Sequence, residues 1–196
     1  MISTIVATMN NNIISFKKNG DNYLPHLHGE KFFPESVHEK IKNFRDNDNF
    51  VFKTYIKQIK SNSVIVIGEN TFSDSFPLFK KILKDKNICF IVSNNKRITK
   101  TIYLANDWNS PLVFSPINNL SKDKDSFKKV LVKTTKEEAL NLSSDIHVMG
   151  GKSVYEAFNG VYDKIVVNNF NIPEEIINEI ELQSDIVFNR VRLDNE

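Results

Sequence analysis

Two glycine-bearing turns are the parts of this chain whose residue types and spacing best suit chemistry. The first is Ile67-Gly68-Glu69-Asn70-Thr71-Phe72, after the apolar run Val64 to Ile67. The second is Val148-Met149-Gly150-Gly151-Lys152-Ser153-Val154-Tyr155-Glu156. Glycine after a buried strand lets backbone N–H groups approach a phosphate, with the start of a following helix facing it. The same glycines would also serve a tight strand-to-helix turn, and a Gly-Gly pair alone does not separate the two readings. His26, His28 and Glu30 recur every second residue, a spacing that suits metal ligation from an extended segment. Zinc normally takes more ligands than these, so the segment reads as a polar loop and no metal is expected. His38 and His147 occur singly and read as structural. No Ser–His–Asp order, Walker loop or zinc-ligand set is visible. The lysines between Lys122 and Lys133 are interleaved with Asp and Ser, which suits a solvated loop and not a nucleic-acid face.

The elements that must position these turns follow from the hydrophobic pattern. Ile2 to Met9 is apolar and β-branched and reads as a strand, followed by an Asn10-Asn11-Asn12 turn and a short Ile13-Ile14 segment. Residues 15–34, punctuated by Gly20, Pro25, Gly29 and Pro34, read as a long loop. Pro34-Glu35 opens a helix carrying Val37, Ile41 and Phe44 on one face. Asn47-Asp48-Asn49 is expected to break it, with a second helical stripe at Phe52, Tyr55, Ile56 and Ile59. Val64 to Ile67 and Ile88 to Val92 are continuous apolar runs, the pattern of strands buried on both faces. Helices are expected at 76–83, from Thr134/Thr135 to Leu142, from Ser153 to Phe158 and from Pro173 to Ile180. Further strands are expected at 130–132, 146–149, 164–167 and 186–191. Residues 94–128 are weakly patterned and read as a surface insertion. Strands alternating with helices predict an α/β fold with a mixed, mostly parallel central sheet, helices on both faces, and one domain over 1–196.

Composition narrows the class. The chain has 196 residues, 26 Lys+Arg, 24 Asp+Glu, 40% hydrophobic residues and one cysteine. That is enough chain for a sizeable core, and the balance is that of a globular domain. A net charge of +2 gives no bulk attraction to nucleic acid or to an anionic membrane. Lone Cys89 cannot form an internal disulfide, which favours a reducing compartment. No apolar run approaches the roughly 18 to 20 residues of a membrane span, and Met1 to Ser15 lacks the form of a signal peptide. A cytoplasmic location is expected, in the host cytoplasm if the source is a phage or virus. Asn (25), Ile (22), Lys (22) and Phe (15) are abundant while Arg is limited to 4, the mark of AT-rich coding. Scarce Arg also means few planar bidentate partners for phosphate or carboxylate.

The order of segments resembles dihydrofolate reductase. Met1 to Ser15 resembles the family's first strand and the start of its active-site loop, and Leu24-Pro25 the element ending that loop. Val64 to Phe72 is similar to Val-Ile-Met-Gly-Arg-x-Thr-Trp, and Ile91-Val92-Ser93 to the Ile-Leu-Ser closing the next strand. Val130 to Leu140 resembles a strand followed by Ser-x-x-Glu-Ala. Met149 to Phe158, MGGKSVYEAF, is similar to Ile-Gly-Gly-x-x-Val-Tyr-x-x-Phe, the motif most specific by itself, and Asp163 to Val167 resembles the strand after it. The likeness implies hydride transfer from NADPH, or NADH, to dihydrofolate or a related pterin. It implies a cis Gly150–Gly151 peptide beside the nicotinamide and pyrophosphate, and cofactor contacts at Ala7, Ile14, Thr71, Ser93, Lys152 and Ser153. Phe33, with Phe32, is expected to wall the pterin.

The departures from the family pattern fall at charged and polar ligand positions. Glu69 replaces a cation that meets the cofactor's adenosine end. Lys152-Ser153 replaces a second basic residue of the Gly-Gly loop. The Arg that clamps the folate carboxylate is missing, with Lys84 or Lys86 nearby. Asn168 stands where the family has a Thr supporting its catalytic acid, and the only tryptophan is Trp108. After Val167 a helix-like PEEIINEI takes the place of a long β-hairpin, so one strand is expected to be missing or displaced. The acid itself has two candidates. Glu30 follows soon after Leu24-Pro25 and is favoured as the catalytic residue; Asp48 lies nearer Val64. Strict spacing back from Gly68 instead gives Phe52, which transfers no proton. Three readings follow: a divergent reductase, a catalytically degenerate binding or structural module whose insertions near 30–50 and 94–128 meet a protein partner, and a reductase of the related riboflavin-pathway type.

Overall fold

The computed structural model describes residues 1–68, 70–72, 88–92, 99–104, 113–116 and 145–194. The expected elements at 76–83, 130–132 and 134–142, with Glu69, Lys84, Lys86, Ser93, Trp108 and the lysines of 122–133, lie outside the described residues. Among those described, the chain divides into two compact units. One comprises Met1–Thr4, Gln58–Ile165 and Leu193–Glu196; the other Ile5–Lys57 and Val166–Arg192.

The first unit is built on a sheet in which residues 64–67 and Ile146–Val148 are buried. β1 (Ile2–Met9) begins here, and β8 (Ile146–Val148) lies parallel to it with Ser3 opposite His147. β4 (Val64–Gly68) runs parallel to β8 on its other side, and β5 (Ile88–Val92) parallel to β4. Val64, Ile65, Val66 and Ile67 are each 0% exposed, so β4 is buried on both faces as its continuous apolar run requires. β6 (Thr99–Leu104) and β7 (Val113–Pro116) then add antiparallel. Residues 94–128 therefore contribute two sheet strands where weak patterning gave an insertion. α3 (Lys152–Ala157) follows the Gly-Gly turn.

The second unit closes around aromatic rings. The end of β1 turns through Asn10 and Asn11, with φ of 49° and 67°, into β2 (Ile13–Lys18). Asn19 (φ 53°) and Gly20 (φ 89°) then form a two-residue connection to β3 (Asp21–Tyr23), pairing Lys18 with Asp21. The expected loop at 15–34 is thus a hairpin followed by the short helix α1 (Pro25–His28) and two 3-10 turns at Gly29–Lys31 and Glu35–Val37. β10 (Val187–Arg190) pairs antiparallel with β2, and β9 (Lys164–Phe170) pairs with β1. The C-terminal segment supplies α4 (Glu174–Gln183) and this one strand. Phe16 is fully buried with Tyr23, Phe32, Phe33 and Phe188 around it, at centroid distances of 5.1 to 5.9 Å. Each such buried ring contributes about 1.5–3 kcal/mol.

The fold is α/β with a mixed sheet, as expected, but antiparallel pairs outnumber parallel ones. Among the described residues the antiparallel pairs are β1–β2, those of the β2–β3–β10 group and those of the β5–β6–β7 group, and the last two groups include segments whose sequence read as loop or insertion.

One long helix replaces the two expected between 34 and 59. α2 (His38–Gln58) is continuous through Asn47-Asp48-Asn49. Asn and Asp interrupt helices when their side chains bond the local backbone instead. Here they are engaged elsewhere: Asn47 Nδ2 donates to Asn168 Oδ1 at 3.2 Å, and Asp48 Oδ1 accepts from Asn168 Nδ2 at 2.8 Å. With those side chains held by β9, the backbone is left to the helix.

Candidate functional site

In the first unit, the Gly-Gly turn interlocks with the end of β4. The Gly150–Gly151 peptide is cis, as the family likeness implies. Gly68 N–H donates to Gly150 O at 2.5 Å, and Met149 N–H to Val66 O at 2.8 Å, which fastens the turn to β4. A Cβ on Gly68 would lie 3.0 Å from Gly151 N, and one on Gly150 would lie 3.0 Å from the Tyr155 ring. Gly150 also holds φ at +99°, a conformation that favours glycine. A Cβ on Gly151 would meet Thr71 Oγ1 at 2.8 Å. Gly150 is thus held to glycine by its backbone conformation and the Tyr155 ring, and Gly68 sits against the Gly151 backbone, before any ligand is considered. Tyr155 is buried against Gly150, and its carbonyl accepts from Tyr162 Oη at 3.0 Å, so this residue is core.

The polar groups of this turn are those a phosphate would meet. Thr71 is half-buried beside Gly151, Ser153 is half-buried in the first turn of α3, and Lys152 is exposed with Nζ 4.0 Å from Glu156 Oε1. One cation and two hydroxyls lie beside closely packed glycines, groups whose chemistry can hold an anion. Also in this unit, His147 Nδ1 lies 3.0 Å from Ser3 Oγ, and burial pushes the imidazole down to about 4.

In the second unit the two candidate acids differ sharply. Glu30 is 40% exposed at its side chain, and its Oε1 lies 3.1 Å from the Arg45 guanidinium. A solvated carboxylate held as an ion pair is poorly suited to deliver a proton to a bound ring. Asp48 is 18% exposed at its side chain, bonded by Asn168, and its Oδ2 lies 3.7 Å from His26 Nε2. The carboxylate that Asn168 bonds is Asp48. Asp48 also lies one helical turn before Phe52, on the same face of α2 as the position that strict spacing selects. A one-turn offset along a continuous helix is invisible while the helix is read as broken.

Burial holds the His26 imidazole below its ordinary value. Asp48 pulls upward against it, and His28 and Arg45 reinforce the lowering. The three residues of the metal-like spacing point to different partners: His26 to Asp48, Glu30 to Arg45, and His28 Nδ1 to the Leu24 N–H at 3.0 Å. Phe33 is 4% exposed, stacked on Phe188 at 6.3 Å and closely packed on Gly29. It therefore fills the aromatic core and offers a ligand almost no surface, whereas Phe32 is half-buried. Ala7 on β1 and Ile14 on β2 are both partly exposed.

No family model matches the chain, and no curated protein matches it. No helix among the described residues is long and apolar enough to cross a membrane.

Proposed function

We propose that this protein is a reductase of the dihydrofolate-reductase type, passing hydride from NADPH or NADH to dihydrofolate or a related pterin. Asp48 takes the place of Glu30 as the acidic residue. The observation carrying the proposal is the 2.8 Å hydrogen bond from Asn168 to Asp48. It joins the residue at the family's acid-supporting position to a shielded carboxylate, as the resemblance requires of an active member. The cis Gly150–Gly151 turn agrees with the same resemblance.

In this reading the bound nicotinamide supplies the hydride. Thr71, Lys152 and Ser153 hold the phosphates, and the glycines keep the turn close enough for backbone contact. Asp48 presents a carboxyl to the pterin, whose ring must gain a proton as it accepts hydride. Asn168 fixes the orientation of that carboxyl from β9.

The packing of the glycines favours a second reading. Because Gly150 is constrained by its φ and by Tyr155, and Gly68 by the Gly151 backbone, both would persist in a catalytically degenerate module with no cofactor. Titration with NADPH and NADH, followed by loss of nicotinamide absorbance on adding dihydrofolate, separates the two. Binding with turnover supports the reductase; no binding at millimolar cofactor overturns it.

A further inference from the structure

We propose that the His26 imidazole takes up and releases a proton facing the Asp48 carboxylate, and that the Glu30–Arg45 pair modulates the pH at which it does so. The catalytic consequence rests on the reductase reading; the titration does not.

The geometry shields the pair from most of the surrounding water. His26 is 9% exposed, its ring lies edge-on to Phe44 at 5.6 Å, and its Nε2 is 3.7 Å from Asp48 Oδ2. The other Asp48 oxygen accepts from Asn168. A proton entering here meets a carboxylate already held in place and an imidazole facing it. A proton on the imidazole is charge-paired with that carboxylate across 3.7 Å, while Asn168 holds the carboxylate by a hydrogen bond.

The charges around the pair act in opposite senses. From α2, Asp48 favours the imidazolium and Arg45 opposes it; from α1, His28 opposes it. From β2, which packs against α1, Lys18 lies over the Phe32 ring at 5.6 Å. From the 3-10 turn after α1, Glu30 lies 3.1 Å from Arg45 and offsets its charge. Glu30 therefore acts on the pair through Arg45. His26 is correspondingly a positioning residue: it acts through Asp48 by deciding at which pH the pair carries its proton.

The test is a proton–nitrogen NMR titration of the full chain, following the His26 ring. Asp48→Asn should lower its midpoint by about one pH unit or more, the effect of losing one near charge. Arg45→Gln should raise the midpoint. Glu30→Gln should lower it, because Arg45 is then unopposed. This pattern of signs supports the proposal, and the Arg45 and Glu30 variants carry the test if Asp48→Asn does not fold. A His26 midpoint unmoved by all three variants overturns it. In the reductase assay, the pH profile of turnover should shift in the same directions as the ring midpoint. A ring midpoint that responds in a protein showing no turnover upholds the pair and defeats the reductase reading instead.

Discussion

Mild acid will destabilise this protein before its carboxylates titrate, because of His147. The residue lies in β8, 7% exposed, with burial pushing its imidazole down to about 4. Asp145 pulls in the opposite direction, and the N-terminal ammonium adds to the lowering. The unfolded chain restores the ordinary value of 6.5. Between those two values the unfolded state holds more protons, so the His147 contribution is complete above pH 6.5 and is lost as pH falls towards 4. The whole interval corresponds to about 3 kcal/mol, and single-site linkage has already removed about 1.4 kcal/mol near pH ~5.5. With a urea slope of about 1–3 kcal/mol per molar, the midpoint should fall by about 0.5–1.4 M between pH ~7 and ~5.5. Asp145 and Glu181, held below ordinary carboxylate values by hydrogen bonds from Lys60 and Arg190, affect a more acidic range. His26 titrates in the same direction as His147, so the assay is a difference. Urea unfolding by far-ultraviolet circular dichroism is compared between the parent and His147→Asn, which keeps a polar atom near Ser3 and does not titrate. The variant should lose about 1.4 kcal/mol less than the parent over that interval. An equal fall in both proteins would refute the assignment to His147.

Substitutions at three other positions test how the turns are built. Gly68→Ala places a Cβ 3.0 Å from the Gly151 backbone nitrogen and should cost about 1–3 kcal/mol in urea unfolding. Gly160→Ala, with open space around it and φ of +77°, should cost about 1 kcal/mol through backbone strain alone. Asn10 combines a φ of 49° with side-chain bonds to Ile172 O, Glu174 Oε1 and the Ile172 N–H. Asn10→Ala should therefore cost about 3 kcal/mol, and Asn10→Gly about 1 kcal/mol less because glycine accepts the conformation.

The parts legible in the sequence were those whose signal is local. β4 showed itself as an unbroken apolar run because both its faces are buried, and the Asn10-Asn11 turn because asparagine tolerates positive φ. Asn19-Gly20 carried an equally local hairpin signal. It was obscured because β2 ends in Lys17-Lys18 and β3 is only Asp21–Tyr23, leaving no alternating pattern around the turn. The continuity of α2 was not local at all: it depends on Asn168, far along the chain, taking the Asn47 and Asp48 side chains away from the backbone. The bond that shields Asp48 is non-local in the same way. Proximity in sequence to Leu24-Pro25 favoured Glu30, whereas Arg45 draws Glu30 to the surface and β9 holds Asp48. Phe33 shows the limit of residue type as a guide. An aromatic near a suspected site suits a ligand wall, yet the Phe16 and Phe188 rings and Gly29 pack Phe33 into the core.

The central claim is that Asp48 is the carboxyl serving hydride transfer, and the most direct measurement is the single-turnover rate of nicotinamide oxidation by dihydrofolate in Asp48→Asn and Glu30→Gln. Asp48→Asn should lower that rate by about 10²–10⁴-fold while cofactor binding stays as in the parent, and Glu30→Gln should leave most of the rate intact. Undiminished hydride transfer in Asp48→Asn, or a loss confined to Glu30→Gln, would contradict it.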